Sequence, residues 1–255
     1  MRISAFLIPV FSILFGILGF FLRASELINV FDPITNLPMR GAATTFWLIA
    51  VSAVFALFIL AFSIFASIKH RSLNGFENAF GTDPLFYPIV FVIIGLIWLF
   101  GTYLYFSDLS SIDTIELGFI SFSAISAICV SLFAIEMYQD SRKRASYALS
   151  LVPTIFLCYW LVLLYRQNAA NPILLSYVYQ CLAIAVSSLS FFMTSGFLYD
   201  KPAPGKAIFC YSMTVYFCTV SLADDISVGL KVIFFAIIAV SLIHSAMLLS
   251  NLQRK

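Results

Sequence analysis

Long apolar runs separated by short polar stretches extend along the whole chain. A helix needs roughly 20 residues to cross the hydrocarbon core of a bilayer. We count eight runs of suitable length, with boundaries good to about 4 residues: about 4–22, 44–67, 85–106, 115–135, 146–165, 173–198, 206–221 and 228–249. A transmembrane β-barrel would instead show alternating segments of about 10 residues. The pattern therefore predicts an all-α bundle of eight spans, or seven if the short and more polar seventh run does not cross.

The first run also has features of a signal peptide, because Met1 and Arg2 precede the apolar stretch. A cleaved signal has an apolar core of about 7–15 residues and a cleavage site with small residues. This run is longer, and Leu22, Arg23 and Ala24 form a poor site. We interpret the run as a retained first span.

Composition supports a membrane protein. Hydrophobic residues make up 62% of the 255 residues, charged residues make up 10%, and the mean hydropathy is +1.03. Soluble domains carry about 25% charged residues. Because the stretches between the runs are short, they leave no room for a soluble domain. We therefore expect residues 1–255 to form one integral membrane domain with the lipid bilayer as its main partner.

The distribution of basic residues predicts the orientation, because Lys and Arg favour the cytoplasmic side. With eight spans, ten of the fourteen fall on one side, together with both termini. These ten are Arg2, Lys69, Arg71, Arg142, Lys143, Arg144, Lys201, Lys206, Arg254 and Lys255. Both termini are predicted to be cytoplasmic, in the inner membrane of a bacterium. The cluster 142–144 is interpreted as a topology anchor at anionic lipid rather than as a nucleic-acid site.

Two local patterns concern the organisation of the helices. Asp113-Thr114-Ile115-Glu116 has the spacing of a capping box, which marks a helix start. Spans three and four also resemble spans five and six, because each pair ends on a tyrosine followed by an aspartate: Tyr138 with Asp140, and Tyr199 with Asp200. We consider parallel two-helix repeats, which occur in transporters, against a chance likeness of Phe- and Ser-rich spans.

Polar residues inside spans six and seven are the candidate binding site. Gln180 and Tyr177 fall in the half of span six predicted to be outer, and span seven adds Tyr211 and Thr214. Together they could line a polar cavity, or each could hydrogen-bond a neighbouring helix at about 0.6–2 kcal/mol. Beyond span seven, Lys231 is expected to turn outward and pair with Asp224 and Asp225.

Ionisable groups inside a membrane are costly and tend to be functional. His244 in span eight and Glu136 at the end of span four are the candidates, although His244 is expected mainly to hydrogen-bond a neighbouring helix or reach the interface. All five cysteines lie within spans. No metalloprotease motif, nucleophile elbow or phosphate-binding loop is present. We expect no enzyme activity, no cofactor, no metal and no nucleic-acid partner.

The polar stretch FDPITNLPMRG at 31–41 separates the first two spans. Asp32-Pro33 favours a turn, and we expect an ordered connector or a lid over a cavity. Its D-P-x-T-N-L string resembles one found in uncharacterised polytopic membrane proteins of bacteria, a resemblance that implies no activity.

Two functions remain after this reading of the sequence. The first is a transport or permease-like component for a small uncharged or apolar solute, which is motivated by the possible repeat and by the polar residues of spans six and seven. Buried acids are scarce, which argues against coupling to protons or sodium. The second is a non-catalytic membrane partner, such as an assembly factor or sensor subunit.

Overall fold

The computed structural model describes residues 3–32, 37–39, 41–69, 76–80, 86–109, 113–138, 144–170, 173–199 and 201–252. Helices account for nearly all of these residues: α1 Ile3–Asn29, α2 Ala43–Lys69, α3 Phe76–Phe80, α4 Phe86–Asp108, α5 Thr114–Tyr138, α6 Arg144–Gln167, α7 Val178–Leu198, α8 Pro204–Ser221 and α9 Val228–Asn251. A single 3₁₀ turn at Leu174–Ser176 precedes α7. Within the described ranges the one bridge between extended segments pairs Phe31 with Pro38.

Seven of the helices are long and apolar enough to cross a membrane. This result supports a multi-pass membrane protein. Two helices are missing from that set: α3, which has only five residues, and α8, which corresponds to the seventh and most polar run. The count of eight spans, the side of each terminus and the two-helix repeats remain predictions. Arg142, Lys143, Asp140, Asp200 and the loop segment 33–36 lie outside the described residues.

The centre of the bundle is formed by α8 and α9. Fourteen of the 18 residues of α8 are buried, and it packs against α1, α2, α7 and α9. In the most apolar 18-residue segment of α9, 67% of the residues are buried, whereas 22% are buried in the corresponding segment of the peripheral α2. Because protein rather than lipid surrounds α8, its hydroxyls and tyrosines do not face hydrocarbon, and a low apolarity is tolerated.

Small residues set the distance between the central helices. Gly229 of α9 lies against the backbone of α4, where a Cβ would meet Gly101 O at 2.6 Å and Tyr105 Cα at 2.7 Å. Ser63 of α2 donates to the carbonyl oxygen of Gly205, at the start of α8, over 2.6 Å. These contacts hold α4 to α9 and α2 to α8 at backbone distance.

Two ends of the bundle can be distinguished. The Phe80 end holds α3, whose Ala79 carbonyl accepts a hydrogen bond from Asn251 Nδ2 at 3.0 Å. The Arg23 end holds the last turns of α1 and α6 and the α8–α9 turn. At this end α5 begins where the capping-box spacing predicted, and one of the two capping-box hydrogen bonds is present: the Asp113 N–H donates to Glu116 Oε2 at 3.3 Å.

The flanks of the 31–41 stretch pair with each other at the Arg23 end. The Met39 N–H donates to Val30 O at 2.8 Å, and the Asp32 N–H donates to Leu37 O at 3.1 Å. Gly41 has a φ of 78°, a left-handed conformation that favours glycine, and it leads the chain into α2. A covering role for this stretch remains a prediction.

Candidate functional site

The candidate site is built around Arg23, which lies inside α1. The first apolar run was predicted to end near residue 22, but the helix continues to Asn29. The arginine side chain has no exposed surface. Such burial requires that its donors be paired, and the acceptors come from three parts of the chain.

Four hydrogen bonds hold the Arg23 guanidinium. Nε donates to Asp224 Oδ1 and Nη1 donates to Glu26 Oε2, each at 2.7 Å. Nη1 also donates to Leu175 O at 3.1 Å, and Nη2 donates to Ser176 O at 2.9 Å. The guanidinium therefore ties α1 to the α8–α9 turn and to the 3₁₀ turn before α7.

The turn between α8 and α9 places Asp224 beside Arg23. Its backbone N–H donates to Ser221 O, and its own carbonyl accepts from the Ile226 N–H. Ser227 then caps α9 by accepting from the Leu230 N–H at 3.4 Å. This tight connection fixes the carboxylate facing α1. The expected pairing of Lys231 with Asp224 is wrong, because the ion-pair partner of Asp224 in the described structure is Arg23.

Both carboxylates keep one oxygen unpaired. Glu26 Oε1 and Asp224 Oδ2 are buried and have no hydrogen-bond partner among the described residues. With all three groups ionised, the cluster carries one net negative charge, because two carboxylates face one guanidinium. Burial raises the pKa of Asp224, and the Arg23 charge and the nearby Gln180 amide offset part of that shift. A proton or a cationic group would therefore neutralise the remaining negative charge of the cluster.

A cavity of about 920 Å³ adjoins this cluster, and we call it the end cavity. It lies between the last turns of α1 and α6, with α7 and α9 behind it. Its aromatic lining consists of Phe31, Trp160, Tyr177 and Phe234. Its polar lining consists of Gln167, Asn168, Ser176, Gln180, Asp224 and Asp225. Aliphatic residues such as Leu27, Leu164 and Leu230 complete the wall. Mixed linings of this kind are typical of small-molecule sites.

The structure separates the four polar residues of the candidate site into two places. Tyr177 and Gln180 line the end cavity. Tyr211 is buried in α8 beside His244, and its hydroxyl lies 2.7 Å from Thr194 Oγ1. Thr214 is fully buried, and its Oγ1 has no hydrogen-bond partner in the described structure. Tyr211 and Thr214 therefore do not share a cavity with Gln180.

His244 lies towards the Phe80 end, enclosed by aromatic rings. The ring centroids of Phe80, Phe91 and Tyr211 lie 5.2, 5.1 and 5.7 Å from that of His244. The imidazole is 3% exposed and its Nε2 has no hydrogen-bond partner in the described ranges. It therefore does not reach the interface. A void of about 20 Å³ lies beside it. Glu136 is half-buried in the last turn of α5 and does not line that void.

Sequence reasoning missed the Arg23 cluster, because Arg23, Glu26 and Asp224 were all placed in loops. One signal was available for two of them. Arg23 and Glu26 are spaced i, i+3 within Leu22–Val30, where apolar residues continue at helical intervals. A helix extended through this segment places the two side chains on one face. No signal in the sequence connects either residue to Asp224.

Other candidate chemistry can be located in the same way. No group of three or more His, Cys, Asp and Glu side chains within the described ranges is placed to hold a metal ion. The five cysteines are all free thiols.

No family model, curated protein or solved structure matches this chain. The functional argument therefore depends on the geometry of the Arg23 cluster and the end cavity.

Proposed function

We propose that this protein is a transport or permease-like component of a bacterial inner membrane, and that a small organic solute enters it through the end cavity. One observation carries the proposal: a cavity of about 920 Å³ reaches into the bundle beside a buried, charged cluster. Structural ion pairs alone do not require a cavity. A preformed concave site with a few polar groups in an apolar wall is what solute binding requires.

The solute expected from this lining has an apolar body and at least one polar group. Trp160 stacks on Phe234 with ring centroids 4.9 Å apart, which gives the wall a flat aromatic surface. Gln180 supplies an amide on the same wall. The sequence favoured an uncharged or apolar solute, and the scarcity of acids predicted to be buried argued against coupling to protons or sodium. Burial of Glu26 and Asp224 removes that restriction.

Uptake into proteoliposomes tests the transport proposal. A panel of labelled neutral, cationic and anionic organic solutes is offered to vesicles that contain the purified protein. At least one class should enter faster than into empty vesicles, and Gln180→Leu should lower that rate by about two- to tenfold, since a hydrogen bond from the amide to a solute is worth about 0.5–1.5 kcal/mol. Asn29→Leu is the matched control, because Asn29 is exposed at the same end and outside the cavity. Protein-independent entry of every class would refute transport.

A non-catalytic membrane partner is the second candidate function. The observation that favours it is the peripheral position of α2, which packs against α1 and α8 and presents exposed Trp47, Phe58 and Phe65 on its surface. Lipid covers such a face equally well. Cross-linking from α2 in native membranes separates the two cases: a single protein adduct of constant mass supports the partner role, and lipid adducts alone contradict it.

A further inference from the structure

We propose that the end cavity binds a small organic cation, a protonated amine, with Asp224 as its counter-charge. This inference rests on the proposed function, since it assigns a ligand class to the cavity through which the solute enters. It differs from the uncharged solute that the sequence favoured.

The charges that line the cavity have one sign. Asp224 and Asp225 are acidic, and no Lys, Arg or His belongs to the described lining. The Arg23 guanidinium is already committed to Glu26, Asp224 and two carbonyl oxygens. A cavity with low-dielectric walls and a single sign of charge concentrates counter-ions. The wall therefore attracts cations and repels anions.

The buried Asp224 side chain provides an unused acceptor. One of its oxygens binds Arg23 at 2.7 Å, and the other, Oδ2, has no hydrogen-bond partner among the described residues. The residue is 1% exposed, yet it belongs to the cavity wall. A buried acceptor without a partner is unfavourable, and more so when it is charged. An ammonium group supplies both the hydrogen bond and the charge that the cluster lacks.

Aromatic rings on the same wall complete the case for an organic cation. Trp160, Tyr177 and Phe234 line the cavity together with Asp224. An ammonium group over the face of such a ring is attracted by the ring quadrupole. Metal ions prefer several oxygen, nitrogen or sulfur ligands, and the described residues offer no group of three suitable side chains. The combination of acid and aromatic surface therefore favours an organic ammonium over a metal ion.

Three probes of matched shape test the ligand class: phenethylammonium, 2-phenylethanol and phenylacetate. Each is titrated against the full-length protein in lipid nanodiscs, with tryptophan fluorescence as the readout for Trp160. We expect phenethylammonium to bind at least about tenfold more tightly than the alcohol, and phenylacetate to bind more weakly than both. Equal affinities for the cation and the alcohol would overturn the ligand class, and so would an absence of cation binding.

Two variants connect the binding to this wall. Asp224→Asn should weaken binding of phenethylammonium at least about tenfold, whereas Asp108→Asn, at the same end but outside the cavity, should leave it unchanged. Because Asp224→Asn also loses an ion pair, Gln180→Glu serves as the second variant. It adds a carboxylate to the wall and should tighten binding of the cation. Weaker or unchanged binding in Gln180→Glu would overturn the proposal.

The outcomes separate this inference from the proposed function. If the alcohol and the amine both bind equally and both enter vesicles, the ligand class is wrong and transport stands. If the amine binds selectively but no solute enters vesicles, the ligand class stands and transport is wrong.

Discussion

Arg23 and Asp224 lie 201 positions apart in the chain, and Arg23 Nε donates to Asp224 Oδ1 at 2.7 Å with both side chains almost completely buried. This bond closes the bundle, since it joins the first long helix to the turn before the last. It also places a carboxylate with one unpaired oxygen at the wall of the end cavity. The same pair thus has a structural and a proposed functional role.

Removal of the arginine should destabilise the protein strongly. Arg23→Met leaves Glu26 and Asp224 buried without a counter-charge, and breaking a buried ion pair in this way costs about 3–5 kcal/mol. Unfolding of the purified protein in mixed micelles measures the change. Arg166→Met, at an exposed position at the end of α6, should change stability by less than about 0.5 kcal/mol. The triple variant Arg23→Met, Glu26→Gln, Asp224→Asn should recover most of the loss; no recovery would show that charge is not the cause.

The pH dependence of stability should report on Asp224. Burial raises its pKa in the folded state, so its contribution is fully present below the pKa of the unfolded chain, about 3.9, and is lost as the pH rises through the folded value. Stability relative to Asp224→Asn should therefore fall as the pH rises from about 4. Parallel stability curves for the two proteins would contradict the raised pKa.

A methyl group at Gly229 should push α4 and α9 apart. In Gly229→Ala the new Cβ would meet backbone atoms of Gly101 and Tyr105 at 2.6 and 2.7 Å, and backbone cannot move aside as a side chain can. Overpacking of this kind costs about 1–3 kcal/mol. Gly196→Ala is the control, because its nearest atom is Lys201 O at 3.4 Å, an ordinary contact. Equal thermal stability of the two variants would refute the close contact.

Labelling of single cysteines should show whether α8 crosses the membrane. If it does, Lys201 before the helix and Asp225 after it lie on opposite sides. In a background without the five native cysteines, Asp225→Cys should react with an impermeant maleimide added to intact cells, and Lys201→Cys should react only after lysis. The positive-inside rule gives this direction. Reaction of both from the same side would reduce the count to seven spans.

His244→Leu should be neutral or stabilising. The imidazole is buried among the rings of Phe80, Phe91 and Tyr211, and its Nε2 is unpaired among the described residues. Replacing an unpaired polar group with an apolar one of similar size removes a cost of about 1–3 kcal/mol, less any strain from the change of shape. A thermal melt compares the variant with Phe91→Leu, which should lose stability. A loss of uptake in His244→Leu with unchanged stability would instead assign a functional role to the imidazole.

The residues of α8 show how far the sequence carries a prediction of the fold. Its length and the two flanking runs placed a helix at 206–221, and the structure has one at Pro204–Ser221. The polarity of α8 made it doubtful that this helix crosses the membrane, because a hydropathy scale assumes that each side chain is transferred into lipid. Its actual surroundings are α1, α2, α7 and α9, and a helix covered by protein can pair its polar groups with neighbouring helices, as Tyr211 does with Thr194 and Tyr216 does with Ser52.

The residues of the candidate site were also predicted only in part from the sequence. Gln180 and Tyr177 were identified because polar residues inside an apolar run can be recognised from the sequence alone. Tyr211 and Thr214 were grouped with them, but Tyr211 pairs with Thr194, which lies much further along α7 than Gln180, and neither residue lines the end cavity. Arg23, Glu26 and Asp224 were overlooked because a charge at the end of a run normally remains in water.

The sequence by itself determined that this chain is a helical membrane protein, since long apolar runs depend only on the transfer of side chains and hydrogen-bonded backbone into hydrocarbon. It also determined local features such as the capping box at Asp113. Only the tertiary structure decided which charges are buried, because the burial of Arg23 depends on acceptors from residues more than 150 positions away. The end cavity, and the ligand class proposed for it, follow from that long-range pairing.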